Sequence, residues 1–261
     1  MNGLEIDLNI LGPALLAGLL VISTHVPLGR RVLQRGIIFL DLAIAQIAGL
    51  GLIIAYSLNW QPGGWQTQLV AMSAAIMGVL GLNYTDKHWP KIQEAIIGSL
   101  FVLASSGSIL LLATNPQGGE QLKELLVGQI LWVGFDQIIP AAILYSIILV
   151  SWFVFLQRVN SLVFYLVFAI SITVSVQLVG IYLVFASLIF PALAIRAMTK
   201  HAVLTGYLIG SVGYVMGLML ATVFDLPAGA MIVYSLALSA IIFVGYRSVM
   251  FKSNVSANER K

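Results

Sequence analysis

Residues 161–194 read SLVFYLVFAISITVSVQLVGIYLVFASLIFPALA, 34 positions without a charged side chain. A helix needs about 20 apolar residues to cross the hydrocarbon core of a bilayer. The stretch is therefore too long for one comfortable crossing and short for two. The flanking charges decide between them: Arg158 precedes the stretch, and Arg196 and Lys200 follow it. Basic residues collect on the cytoplasmic side of membrane proteins. With both flanks on that side, the stretch crosses twice, as two short helices breaking near Val179 and Gly180, or it enters and returns.

Seven further apolar runs lie near residues 10–29, 36–58, 65–84, 94–114, 136–156, 202–222 and 228–246. Nine segments result, with the N-terminus outside and the C-terminus inside. In that arrangement Arg30, Arg31, Arg35, Lys87, Lys91, Arg158, Arg196, Lys200, Arg247, Lys252, Arg260 and Lys261 are inside. These are 12 of the 13 basic residues, and Lys123 alone is outside. An eight-segment alternative puts one basic cluster on the wrong face. Glu5, Asp7, Glu120, Glu124, Asp136 and Asp225 all fall outside. The longest outer connection, residues 115–135, opens on a turn at Gln117, Gly118 and Gly119, and residues 120–133 suit a short helix lying at the surface. The expected fold is an all-α, polytopic transmembrane bundle. It forms a single domain over residues 1–261, with the membrane bundle at 9–247 and a polar, frayed cytoplasmic tail at 248–261.

Composition excludes the soluble classes. Hydrophobic side chains make up 60% of the 261 residues and charged ones 9%, against about 25% charged in ordinary globular chains. Most of the outer surface must face lipid. The net charge of +3 is spread in short clusters between apolar runs, which gives no nucleic-acid footprint. With no cysteine, a disulfide framework, a thiolate metal site and a catalytic thiol are all excluded. The acidic first nine residues do not read as a cleavable signal. No Walker-type Gly-x-x-x-x-Gly-Lys-Ser/Thr sequence is present, so active transport needs an ATPase on another chain.

Three motifs, taken in order and spacing, resemble the membrane permease subunit of ABC importers for zinc, manganese and iron, over roughly residues 10–247. Ser175-Val176-Gln177-Leu178-Val179-Gly180-Ile181-Tyr182-Leu183-Val184, continuing to Ile189-Phe190-Pro191-Ala192-Leu193-Ala194, is similar to the family's Gly-containing helix with its Pro-Ala-Ala end. Phe224-Asp225-Leu226-Pro227-Ala228-Gly229-Ala230 is similar to the entry into its last helix. Glu94-Ala95-Ile96-Ile97-Gly98 and Leu126-Val127-Gly128-Gln129-Ile130-Leu131 match weaker patterns. The resemblance implies inward transport of a divalent metal ion, zinc or manganese, across the bacterial cytoplasmic membrane. It implies a separate ATP-binding cassette subunit, an extracytoplasmic metal-binding protein and a second permease copy. No cofactor bound by this chain is implied. Two departures stand out. Aligned on Gly51, the family's histidine position holds Gln46 and its aspartate position Leu42, with Asp41 one place earlier. Only Gln157-Arg158-Val159-Asn160 remains of a longer cytoplasmic connection.

Asp41 is the one acidic residue well inside an apolar run. Facing lipid it would cost about 2.5–3.5 kcal/mol, so it belongs inside the bundle. Two readings stand: a pathway residue, paired with Arg35 or with polar groups of the sixth segment, or a structural hydrogen bond to a neighbouring helix. Gln46 lies about 140° around the helix from Asp41, so the two form no local chelate. It reads first as an interhelical hydrogen-bonder and second as a ligand. His25 reads as interfacial, and His88 and His201 as residues of cytoplasmic connections. Ser171/Ser175 and Thr173/Gln177 form i,i+4 pairs that bond across helices or line a cavity. Pro191 is expected to end a helix. A short basic helix over 192–200, carrying Arg196 and Lys200, would then lie at the cytoplasmic face. By resemblance it docks an ATPase subunit; the alternative is an interfacial anchor.

Outside the importer reading, Gln46 and the short connection suit a divergent, ATPase-independent carrier or membrane scaffold. An intramembrane enzyme built on His25 and Asp41 lacks a nucleophile or second carboxylate. Reporter fusions check the topology: one after Lys123 should read extracytoplasmic, and those after Arg158 and Lys200 should both read cytoplasmic. Opposite sides for 158 and 200 would remove the second crossing.

Overall fold

Backbone groups in lipid find no water to bond, so each crossing element must satisfy its own hydrogen bonds. The computed structural model describes residues 8–58, 60, 64–113, 115, 118–154 and 160–258. Its elements are α1 (Leu8–Arg35), α2 (Leu40–Ser57), α3 (Trp65–His88), α4 (Gln93–Leu112), α5 (Gly118–Val127), α6 (Phe135–Val154), α7 (Ser161–Val179), α8 (Ile181–Ile195), α9 (Ala202–Phe224) and α10 (Ala228–Asn258). Single 3-10 turns stand at Pro90–Ile92 and Ile130–Trp132. Eight of the helices, all but α5 and α8, are long and apolar enough to cross a membrane. α8 is apolar but has only 15 residues, about 22 Å at 1.5 Å per residue.

The break in the 161–194 stretch falls where expected. Gly180, between α7 and α8, has φ 82° and ψ 162°, a region open essentially to glycine alone. A Cβ on Gly180 would run into the backbone of Val127 and Gly128, and a Cβ on Gly128 (φ 74°) into that of Val179 and Gly180. The two glycines thus bring two main chains into direct contact. Gly229, at the start of α10, packs as closely on the Val127 carbonyl.

The opposite end of the bundle gathers arginines. Arg30 Nη2 donates to Met198 O (3.3 Å), and Arg247 Nη2 to Ala197 O (3.0 Å). Arg35 Nη1 donates to Ser161 Oγ (3.2 Å), Ser161 Oγ donates to Asp86 Oδ2 (3.3 Å), and the guanidinium lies 4.4 Å over the Phe164 ring. The start of α7 and the end of α8 are therefore at one end of the molecule, with Gly180 at the other. That is the geometry of two crossings.

α8 is the centre. It packs on α1, α9, α10, α7, α5 and α2, and 11 of its 15 residues are buried. A helix buried this completely need not span the full bilayer alone. α2, α3 and α4 form a second group, which α7 joins to the first. In α9, Gly213 and Gly217, one turn apart, let α10 approach at Leu236 and Ile232, the small-residue packing common between membrane helices.

Three sequence expectations are corrected. Pro191 does not end its helix; α8 continues to Ile195. The turn after Pro191 is buried, with Ala192 and Ile195 fully enclosed, and Gly29 of α1 packs against Leu188 O and Ala192. Tertiary burial outweighs the one backbone bond that proline removes. The basic helix over 192–200 is accordingly absent: residues 196–200 form a turn and bend before α9. The polar tail is not frayed from residue 248, since α10 runs on to Asn258. The surface helix predicted at 120–133 is observed as α5 and the following 3-10 turn, while Gln117, Arg158 and residues 259–261 lie outside the described residues.

Gly180→Ala should cost about 1–3 kcal/mol through backbone strain alone, more with the clash on Gly128. The expected outcome is a lower melting temperature and less monodisperse protein after detergent extraction. Gly12→Ala, where a Cβ meets nothing within 4 Å, should match the parent.

Candidate functional site

α2 begins from a glycine-stopped turn. Gly36 (φ 70°) follows α1, with its N–H on Leu33 O and that of Ile37 on Val32 O, the paired bonds of a Schellman cap. The chain reverses within four residues and re-enters the bundle at Leu40. Asp41 therefore stands in the first turn of α2, near the start of the span and not well inside it. A helix N-terminus favours a carboxylate there through its unpaired N–H groups and macrodipole.

Asp41 is 1% exposed, and neither carboxylate oxygen has a side-chain partner; only the backbone N–H groups of Asp41 and Leu42 stand beside it. The expected pairing with Arg35 is not formed, because Arg35 is engaged by Ser161 and Phe164. A second carboxylate stands close in the fold: Glu94 Oε1, from the first turn of α4, accepts the N–H of Phe39 at 3.1 Å, while its Oε2 is buried and unpartnered. In the sequence Glu94 stands out only as part of a weakly matching motif. The usable signal was an acidic residue in the first turn of a span.

Gln46 is 2% exposed, and its carbonyl oxygen Oε1 has no partner, contrary to a simple interhelical hydrogen bond at that atom. His25, on α1, is fully buried among the helices; Thr24 Oγ1 lies 3.1 Å from its Nδ1, and Nε2 is unpartnered. An unpaired buried polar group costs about 1–3 kcal/mol. Asp41 and Gln46 place two such groups on α2, with the Glu94 carboxylate oxygen Oε2 a third at its head.

The polar side of α7 divides. Ser175 Oγ donates to Ser171 O (2.8 Å), and Tyr145 OH of α6 bonds Ser175 Oγ and Ser171 O. That half ties α6 to α7. On the other half, Gln177 Oε1 accepts from Gln68 Nε2 of α3 and lines an open cavity of about 860 Å³. Tyr56, Gln68, Glu124, Leu125 and Asp136 also line it. It sits at the Gly180 end of the bundle, between α2, α3, α5, α6 and α7. Both sequence readings of these residues hold, each for one face.

At the basic end, Arg196, Lys200 and His201 are exposed in the connection between α8 and α9. Arg247 and Arg30 hold this connection from α10 and α1 by the carbonyls of Ala197 and Met198. Pro191 is buried behind it. Among the described residues no three His, Cys, Asp or Glu side chains come together as a metal cluster.

The chain is 24% identical over 243 residues to the manganese transport system membrane protein MntC of Halalkalibacterium halodurans, covering 84% of this chain and 81% of that protein. An uncharacterized membrane protein of Cyanophora paradoxa is 25% identical, over 92% of this chain and 86% of its own length. Among solved structures, the fold is shared with PsaBC from Streptococcus pneumoniae, determined in complex with Fab. The TM-score is 0.74 at 18% identity, covering 91% of each chain. A transporter described as an inward-facing ABC transporter of metal-chelate type gives 0.59 at 15% identity, over 92% of this chain and 85% of that one. The family resemblance of the three sequence motifs is borne out. The model of the ABC 3 transport family matches residues 7–166 and 155–247, and this multi-pass membrane chain belongs to that family.

Proposed function

We propose that the chain is the permease subunit of an ABC importer that moves a divalent metal ion, manganese or zinc, inward across the bacterial cytoplasmic membrane. A separate ATP-binding cassette subunit hydrolyses ATP. An extracytoplasmic metal-binding protein delivers the ion, and a second copy of the chain completes the path. The basic end of the bundle faces the cytoplasm, with the N-terminus outside and the C-terminus inside, as the positive-inside rule requires.

The observation that carries this reading is the carboxylate of Asp41, buried without a side-chain partner at the start of α2 and close in the fold to Glu94. A cation passing this point would supply the charge that no side chain among the described residues supplies. The named activity of the Halalkalibacterium relative supports manganese. So does the donor chemistry: carboxylate and amide oxygens suit harder cations such as manganese, whereas imidazole favours zinc. The exposed Arg196 and Lys200 form the surface that docks the ATPase subunit, with Pro191 buried within α8 behind them.

Two experiments test this. Asp41→Asn keeps size and hydrogen-bonding capacity but removes the charge. An interaction with a charged group is worth about 1.5–3 kcal/mol, so metal uptake by the assembled system should fall on the order of tenfold or more, with insertion intact. Gln46→His should shift preference toward zinc in competition uptake. Wild-type behaviour of both variants would take α2 out of the path. Charge reversal at Arg196 and Lys200 should weaken co-purification of the ATPase subunit at normal expression; unchanged co-purification leaves the connection as an anchor and favours the ATPase-independent carrier or scaffold.

A further inference from the structure

The outward side of α3 ends in a cluster of rings and cations. Met77, Leu80, Lys87 and His88 all fall within about 60° of Tyr84 around the helix, and all five are exposed. Gln68 and Asp86, which bond α7, stand about 160° away. This face is therefore turned from the bundle and toward lipid. Both helices of this hairpin are thinly covered, with 28% of the α3 span and 22% of the α4 span buried. Met77 to Lys87 measures about 15 Å along the axis. That is about half the hydrocarbon thickness, the depth of one leaflet.

At the end of the stripe the side chains brace one another. The Tyr84 and His88 rings stack with centroids 4.1 Å apart, and Trp89 meets the Tyr84 ring edge-on at 6.2 Å. His88 Nδ1 lies 2.8 Å from Tyr84 O. A carbonyl only accepts, so Nδ1 carries the proton. Lys87 and Lys91 flank the rings, one in the last turn of α3 and the other in the 3-10 turn Pro90–Ile92. Neither ammonium, nor the Trp89 indole N–H, has a partner among the described residues. The cluster stands at the arginine end of the bundle, since Asp86, next to Lys87, is bonded by Ser161, which Arg35 binds.

The geometry points to a seat for an anionic phospholipid in the leaflet at this end. Lys87, Lys91 and the Trp89 indole N–H hold its phosphate, and its acyl chains lie along Met77, Leu80 and Tyr84. Aromatic rings and snorkelling lysines both favour the headgroup level, and basic residues there attract anionic lipid. The negative end of the α3 dipole keeps the two lysines in place as cations. A free phosphate has no use for the apolar stripe. A cytosolic protein would meet the base of the bundle and not its flank. The same turn holds Asp86 to Ser161 and leads directly to Glu94, which binds the Phe39 N–H. A lipid that steadies the turn therefore steadies the head of α2. The seat does not depend on what the chain transports.

Native mass spectrometry of the detergent-purified full chain tests the seat, with phosphatidylglycerol and phosphatidylcholine of the same acyl chains added in turn. The parent should retain phosphatidylglycerol in preference. Lys87→Gln with Lys91→Gln should cut that preference on the order of tenfold, and Trp89→Leu by a smaller factor. Lys87→Arg with Lys91→Arg should keep it. Arg196→Gln with Lys200→Gln removes the same charge from the base of the bundle and should leave the preference as it was. Equal loss in the two neutralised pairs overturns the seat, since net charge alone would then explain the binding. Excess inorganic phosphate should not displace the lipid; displacement overturns the lipid seat in favour of a free-anion site. Unchanged lipid preference in the Lys87 and Lys91 variant overturns it too, and lost co-purification of the ATPase subunit in that variant would make the surface a protein contact.

Discussion

The contact between Gly128 and Gly180 is the constraint on which the arrangement depends. It sets two main chains against each other with no side chain between them. One of these chains is the turn that lets α7 come back as α8, and the other is the end of the surface helix α5. Without a residue able to hold φ 82° and ψ 162°, α7 would have to run on or end in a longer loop. The central helix α8 would then lose its depth in the bundle. Lipid supplies no hydrophobic drive between helices, so packing and hydrogen bonding must hold them. Close glycine contacts at this end and arginine-to-carbonyl bonds at the other do that for α8.

The polar groups sort by the same rule. Many side chains bond their own helix or a neighbour, as Tyr145 and Ser175 do on each other and on the Ser171 carbonyl, or Gln68 and Gln177 on each other. Asp41 and Gln46, both on α2, are among the exceptions, with His25, Asn83, Glu94, Tyr165 and Ser171 on other helices. Glu94 joins them by binding the backbone just before that helix. The carboxylates thus gather at a helix N-terminus, where the backbone itself favours negative charge. Connecting the bundle through Arg35, Ser161 and Asp86 keeps Arg35 from neutralising Asp41.

Much of this was legible in the chain because lipid imposes a coarse code. Apolar run length located the spans, and the basic clusters set their parity. Both act through local composition. The break near Gly180 was legible too, since a 34-residue apolar stretch between two basic flanks admits few solutions. Asp41 and Gln46 drew notice because a polar group in an apolar run is costly wherever it points. Helix ends were harder. Pro191 and the tail after residue 248 read as stops, yet burial carried α8 past the proline and α10 continued to Asn258.

The sequence by itself determined that this is a helical membrane bundle, where its apolar segments lie, which connections carry the basic residues, and which family its motifs resemble. Each of those follows from solvent preference or from residues close together along the chain. Only the tertiary structure decided that Arg35 bonds Ser161 and not Asp41, that Glu94 stands at the head of α2, and that His25 is enclosed. These are contacts between helices distant in sequence. Their partners are chosen by which backbones can approach most closely, and local composition carries no record of that choice.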